Sequence, residues 1–298
     1  MRVACVYLDM GRLVAWCLSL FVVVACGSVG EGSTPLLPPA PPTAALVAWN
    51  DFPVHANPRP IIWFGDSYEH INGFADGSGK NNWLCGHFVI GTGVQLPSAG
   101  PARAVAKWKP GAMASYPSIG ADQAFARFLA SRKDAGGSNC SSAAPEVITA
   151  VRWGEAGFGT DRGTAQMSAW LFDVGAVGGE LGYPAIDASA YWGGGKTASS
   201  GGVGGKISAD GLTLTIGLIG GPDTPGPCGE DYVAVAAESV TAVAIAISSR
   251  IHGDGNVGCT LEGHFRTVAV RLAKPLDGRV LLDAKGNVGS VCPENGDC

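Results

Sequence analysis

Charge is scarce in this chain. Asp, Glu, Lys and Arg make up 15% of the residues, and the formal net charge is −5. No run of Lys and Arg builds a basic face, which excludes a nucleic-acid partner, since phosphate contacts normally supply most of such affinity. Metal-ligand spacing is missing as well: there is no Cys-x-x-Cys and no His-x-x-x-His, so neither a metal nor a cofactor is expected. "DGSGKNN", residues 76 to 82, lacks the Gly-x-x-x-x-Gly-Lys-Ser/Thr spacing of a phosphate loop. No period of 20 to 50 residues repeats, which argues against a solenoid or propeller.

What is abundant points the other way. Hydrophobic residues reach 46% and glycines number 45 in 298 residues, a composition suited to a β-rich globular protein rather than a disordered one. The uncharged run Leu13 to Ala25 is shorter than the roughly 20 apolar residues a membrane-spanning helix needs. Its length suits a signal-peptide core. Asp9 sits in the otherwise basic stretch before it, so Met10 is a second possible start. The run closes in "VVAC", Val23 to Cys26, followed by Gly27 and Ser28, which resembles the bacterial lipobox. There the cysteine thiol takes a diacylglycerol, and small residues before it let the peptidase reach the backbone. Ordinary cleavage near Gly27 or Gly30 is the alternative.

The expected organisation is therefore a signal peptide over 1–25 and a lipidated Pro/Ser-rich tether over 26–48, with the body outside the cell membrane and anchored to its outer face through Cys26. Two modules follow. Residues 49–192 mix helix and strand, 193–206 are a Gly-rich linker, and 207–298 form a small antiparallel β-sandwich or barrel, so the fold class is α+β and predominantly β. Beyond Cys5, Cys17 and Cys26, six cysteines remain: Cys85, Cys140, Cys228, Cys259, Cys292 and Cys298. An even number in an exported chain implies disulfides, and six allow fifteen connectivities. Neighbour pairing (85 with 140, 228 with 259, 292 with 298) keeps each bridge within one module.

Local pattern gives the elements. "ADQAFARFLASRKDAGG" reads as a helix, with Asp122 as N-cap, Phe125, Phe128 and Leu129 as its apolar stripe, and Gly136 as its stop. "VITAVRWGEAGFGT" and "GTAQMSAWLFDV" read as a hairpin turning at Asp161-Arg162-Gly163, with Trp153, Trp170 and Phe172 as core aromatics. Downstream, period-2 alternation places Leu212, Leu214, Ile216 and Leu218 on one face, then Val243, Ile245 and Ile247, then Val268, Val270 and Leu272.

Residues 207 to 283 carry a Cys before an aromatic-bearing strand, a Glu-Ser turn, a second Cys and "PLDGRVLLD". This run resembles the C-terminal segment of an uncharacterised family of exported proteins and lipoproteins of high-GC Gram-positive bacteria, and "RGTAQMSAWLF" resembles a strand ahead of it. The resemblance implies an exported β domain with one disulfide and carries no activity with it. "VCPENGDC" at the end is a further cysteine pair outside that pattern.

One stretch raises catalysis. "IIWFGDSYEH", residues 61 to 70, contains the Gly-Asp-Ser block that opens the GDSL-type serine hydrolases. That chemistry needs a base to take the serine proton and preorganised donors for the oxyanion. None of the five histidines has an Asp three positions earlier, no Gly-x-Asn-Asp segment follows the serine, and a Gly/Asn-rich loop stands where a helix should begin. Gly65-Asp66-Ser67 is accordingly expected as the turn that ends a strand over Ile61 to Phe64. Glu69 and Glu155 are expected as solvated carboxylates, and "HGDGNVGC", His252 to Cys259, as a hairpin turn. The leading expectation is a non-enzymatic binding module for an envelope or extracellular ligand. The alternative is an envelope esterase using Ser67 with His70 or a distant histidine as base.

Overall fold

Strands dominate the computed structural model, which describes residues 36–65, 67–70, 83, 85–132, 145–175, 178–193, 203–253, 257–260 and 262–294. The signal peptide, Cys26, Asp66, Gly136, Cys140 and Cys298 lie outside the described residues. The first half supplies β1 (Tyr68–His70), β2 (Phe88–Ile90), β3 (Arg103–Trp108), β4 (Ala112–Pro117), helix α1 (Ala121–Arg132), β5 (Glu146–Thr160), β6 (Gly163–Val174) and β7 (Gly179–Pro184). The second half supplies β8 (Gly205–Ile207), β9 (Thr213–Gly220), β10 (Glu230–Glu238), β11 (Ala242–Ile251), β12 (His264–Arg271), β13 (Val280–Asp283) and β14 (Val291–Pro293). The fold is α+β and predominantly β, with mainly antiparallel sheets.

The first sheet is built on the β5–β6 hairpin. Thr160 pairs with Gly163 across the Asp161-Arg162 turn, where Gly163 adopts φ +86°, a left-handed conformation that costs glycine nothing. The far edge of β6 forks: Ala165 to Met167 pair with β3, and Ala169 to Val174 pair with β7. One face of this sheet takes the helix, whose Phe125 and Phe128 meet Phe172 and Phe88 in a single aromatic core. Trp170 and Phe172 are buried in that core, and the half-buried Trp153 meets Trp170 edge-to-face at 5.1 Å. The helix begins at Ala121, one residue ahead of the expected cap. Gly120 holds the position before it because an added Cβ there would lie 2.4 Å from the Ser98 backbone. Asp122 sits in the first turn and accepts from the Gln123 N–H.

The second half is a sandwich of two sheets, ordered β10-β11-β13 and β12-β9-β8-β14. Alternation explains its core. Leu214, Ile216, Val268 and Val270 from one sheet face Val243, Ile245 and Leu281 from the other. Two margins, β11–β13 and β8–β14, pair in parallel. Cys228 and Cys259 are bonded, joining the start of β10 to the loop before β12. Cys85 and Cys292 each take part in a disulfide as well.

Residues 36–298 cluster as one compact unit. Thr43–Trp49, the last part of the expected tether, forms a 3-10 helix with Leu46 buried. Leu46, Phe52 and Ile62 share a core with Ala242, Ala244, Val280 and Leu282 on the back of β11 and β13. The alanines of "AVAIAI" are thereby explained: one face of β11 fills the sandwich, and the small face lets the N-terminal segment approach. The end of the expected linker, Gly205 and Lys206, belongs to β8. Ile61 to Phe64, expected as a strand, forms two isolated bridges instead, Ile61 with Tyr191 and Trp63 with Thr160.

Candidate functional site

Ser67 immediately precedes β1, and Gly65 adopts φ +85°. Its hydroxyl donates to Glu69 Oε1 at 2.8 Å and accepts from Arg132 at 2.6 Å. Arg132 also pairs with Glu69, and the Trp83 indole N–H donates to Glu69 Oε2 at 2.6 Å. Glu69 is therefore a connector, not the solvated carboxylate its sequence context suggests. Burial pulls the Arg132 guanidinium below its usual range, and the group packs 5.4 Å from the Phe128 ring centroid. The cluster ties β1 to the C-terminal end of α1.

Strand alternation puts residues 67 and 69 toward the helix and residues 68 and 70 on the opposite face. His70 lines a shallow groove there with Asp173, Glu180 and Arg152, and Arg152 pairs with Glu180. The structure does not bring Ser67 and His70 together. Among the described residues the Ser67 hydroxyl bonds a carboxylate and a guanidinium, and no imidazole. His252 is likewise committed, with Nε2 at 2.9 Å from Asp231. Residues 254 to 256 of its loop lie outside the described residues. Among the described residues no group of three His, Cys, Asp or Glu side chains is placed to hold a metal ion.

A second cluster lies where three chain segments meet at the β5–β6 turn. Asp161, with 2% of its side chain exposed, takes the Arg59 guanidinium at 2.6 Å. Its backbone N–H donates to Ile62 and its carbonyl accepts from Val291, while the Ser290 hydroxyl donates to the Thr160 carbonyl at 3.1 Å. Arg162 lies 3.6 Å from the Trp108 ring centroid, and Trp108 donates to the Thr160 hydroxyl at 3.0 Å. Burial lowers the Arg162 pKa, although Asp161 opposes the shift. Burial also raises Tyr116, whose hydroxyl donates to the Arg59 carbonyl. From the same centre Arg59 Nε donates to the Gly278 carbonyl at 2.9 Å.

That last bond leads to a cleft of about 680 Å³ between the β3–β4 hairpin tip, the turn after β8, the loop before β13 and the end of β14. Pro110, Ile207, Ala209, Leu276 and Pro293 give it an apolar lining, and Asp277 and Glu294 stand exposed at its rim with Lys109. Its walls are fastened to one another. Leu276 N–H donates to Gly211, whose φ of +72° carries the turn against Pro275.

Arg279 fixes the loop from behind. Its guanidinium donates to Glu238 at 2.9 Å and to the carbonyls of Ser239, Lys274, Pro275 and Leu276. This gives "PLDGRVLLD" a physical meaning. Leu276 anchors the loop in the core, Arg279 clamps it, Val280–Asp283 run as β13, and Asp283 at its end accepts from the Lys285 and Asn287 N–H groups to turn the chain back.

No family model, curated protein or solved structure matches the chain. The site is thus read from its own geometry. No local pattern marks Arg59, and in the sequence Asp161-Arg162-Gly163 reads only as a hairpin turn. The signal for Arg279 is an arginine directly before an apolar strand.

Proposed function

We propose that this is a lipid-anchored cell-envelope protein whose body is a non-enzymatic binding module, with its ligand held in the cleft between the hairpin tip at Pro110 and the loop at Leu276–Gly278. The observation that carries the reading is the cleft itself. It is concave, apolar-lined and bordered by a few polar groups, the usual character of a ligand site. Its walls are braced by Arg59 and Arg279 before any ligand arrives, which lowers the ordering cost of binding. A lipid on Cys26 would leave ten residues before Leu36, holding the body within about 35 Å of the membrane.

The bonding of Ser67 supports the non-enzymatic side. A serine needs a partner that removes its proton during attack, and this hydroxyl links Glu69 to Arg132 within a structural tie. Fluorophosphonate labelling of the chain from Gly27 onward, disulfides intact, tests the point. The expected result is no covalent adduct in the wild type. Labelling that disappears in Ser67→Ala would make Ser67 a nucleophile and the module an esterase.

A further inference from the structure

We infer that the N-terminal face of the body, Leu37 to Trp49 with Trp192 beside it, rests on the outer leaflet of the membrane that holds Cys26; the inference rests on the lipid anchor of the reading above, not on the cleft. Residues 32 to 50 carry no charge. Three residues make one turn of a 3-10 helix, so Thr43–Trp49 presents three faces. Leu46 and Trp49 turn toward the sandwich, Ala44 and Val47 share a second face, and Ala45 and Ala48 the third. A helix that is apolar on every side is normally covered on every side. Here Val47 is 67% exposed, and Ala44 and Ala48 are open as well. Leu37 is 74% exposed, although its carbonyl accepts from the Ser248 hydroxyl at 3.3 Å, which lays the segment against β11. Trp49 and Trp192 are half-buried, their rings 6.5 Å apart and 29° from parallel, and both rest on the buried Phe52.

The tether names the occupant. Leu37 follows Cys26 by eleven residues, and a flexible Gly/Ser-containing chain of that length spans on the order of 20 Å. Acylation of Cys26 therefore keeps this face beside the bilayer, and a contact too weak for a free protein becomes an intramolecular one. Tryptophan suits that boundary, with its ring at the acyl region and its N–H toward water. Binding there scales with buried apolar area, which Leu37, Val47 and the indoles supply, and an uncharged face needs no anionic lipid. A second copy would have to reach the same face by diffusion, against a bilayer already held there.

Phosphatidylcholine vesicles are the probe. The chain from Gly27 onward, without its own lipid, is tethered to them at its N-terminus by a histidine tag and a chelating lipid, and tryptophan emission is followed. A spin label near the headgroups is expected to quench more than one at the acyl-chain ends, and added salt is expected to leave the quenching unchanged. Leu37→Glu with Val47→Glu, two exposed side chains whose replacement leaves the described bonding intact, is expected to lower the docking constant about tenfold while the tag stays bound. No quenching in the wild type, or equal quenching in the double variant, overturns the inference. Dimerisation of the free chain in sedimentation equilibrium, lost in the double variant, would also overturn it, by making a second copy the occupant. The anchor is read separately, from the mass of the full chain extracted from membranes. A diacylglycerol present on Cys26 and absent in Cys26→Ser leaves the anchor standing whatever the vesicles show, and an unmodified Cys26 overturns both.

Discussion

Arg279→Ala is expected to destabilise the protein by about 3–5 kcal/mol, because it leaves the carboxylate of Glu238 without its buried partner and removes the guanidinium donor from the carbonyls of Ser239, Lys274 and Pro275. Only 6% of the Arg279 side chain is exposed, so water cannot replace the lost bonds as it does at a surface pair. A domain with a typical 5–15 kcal/mol of stability loses a large share by this one change. Arg279→Lys is expected to recover little, since a single ammonium cannot span acceptors arranged around a planar fork. Urea denaturation midpoints measure both. A loss under about 1 kcal/mol in Arg279→Ala would show that the loop is held by its apolar contacts alone.

Acid dependence follows from the same pair. Burial tends to raise the Glu238 pKa, but the Ala273 N–H and Arg279 outweigh it, and the group ends below its ordinary value. A depressed carboxylate contributes stability that is present above its unfolded pKa, about 4.3, and is lost as pH falls through the folded value. The wild type should therefore lose stability more steeply than Arg279→Ala on acidification below about pH 4.

Asp161→Ala is the second large effect, also about 3–5 kcal/mol. It strands the Arg59 guanidinium, whose side chain is 9% exposed, and removes the charge facing Arg162 across 4.0 Å. Arg59→Met combined with Asp161→Ala is expected to be milder than Asp161→Ala alone, because the uncompensated cation is then gone. Since Arg59 also holds the Gly278 carbonyl, both single variants should loosen the cleft wall, visible as faster amide exchange over residues 276 to 278. If the double variant is at least as unstable as the single, the pair is not the centre of this junction.

Much of the architecture was readable because period-2 alternation survives in single strands. "LTLTIGLI" and "RTVAVRL" show it, and the Asp161-Arg162-Gly163 turn between two long runs announced its hairpin. The Cys228–Cys259 bridge is one of the three neighbour pairings expected from the even set of six cysteines. What escaped depended on distant partners. Nothing local marks Thr43–Trp49 as a helix that belongs to the core of β11, some two hundred residues later. The Asp161 turn looks like any polar turn until the segment at Ser290 and Val291, 130 residues on, closes over it. Ser67 drew attention through a three-residue block, and its actual partners, Glu69 and Arg132, come from a strand and a helix that the block does not predict.

The cleft exists only if both halves of the chain are held as one body, because the hairpin at Pro110 comes from the first and the loop at Leu276 from the second. Scanning calorimetry of the chain from Gly27 onward tests this most directly. The shared core and the Asp161 junction predict one transition, with calorimetric and van't Hoff enthalpies that agree near 180 kcal/mol for a body of this length. Two separated transitions, each with about half that enthalpy, would mean that the halves unfold independently and that the cleft is not a preformed site.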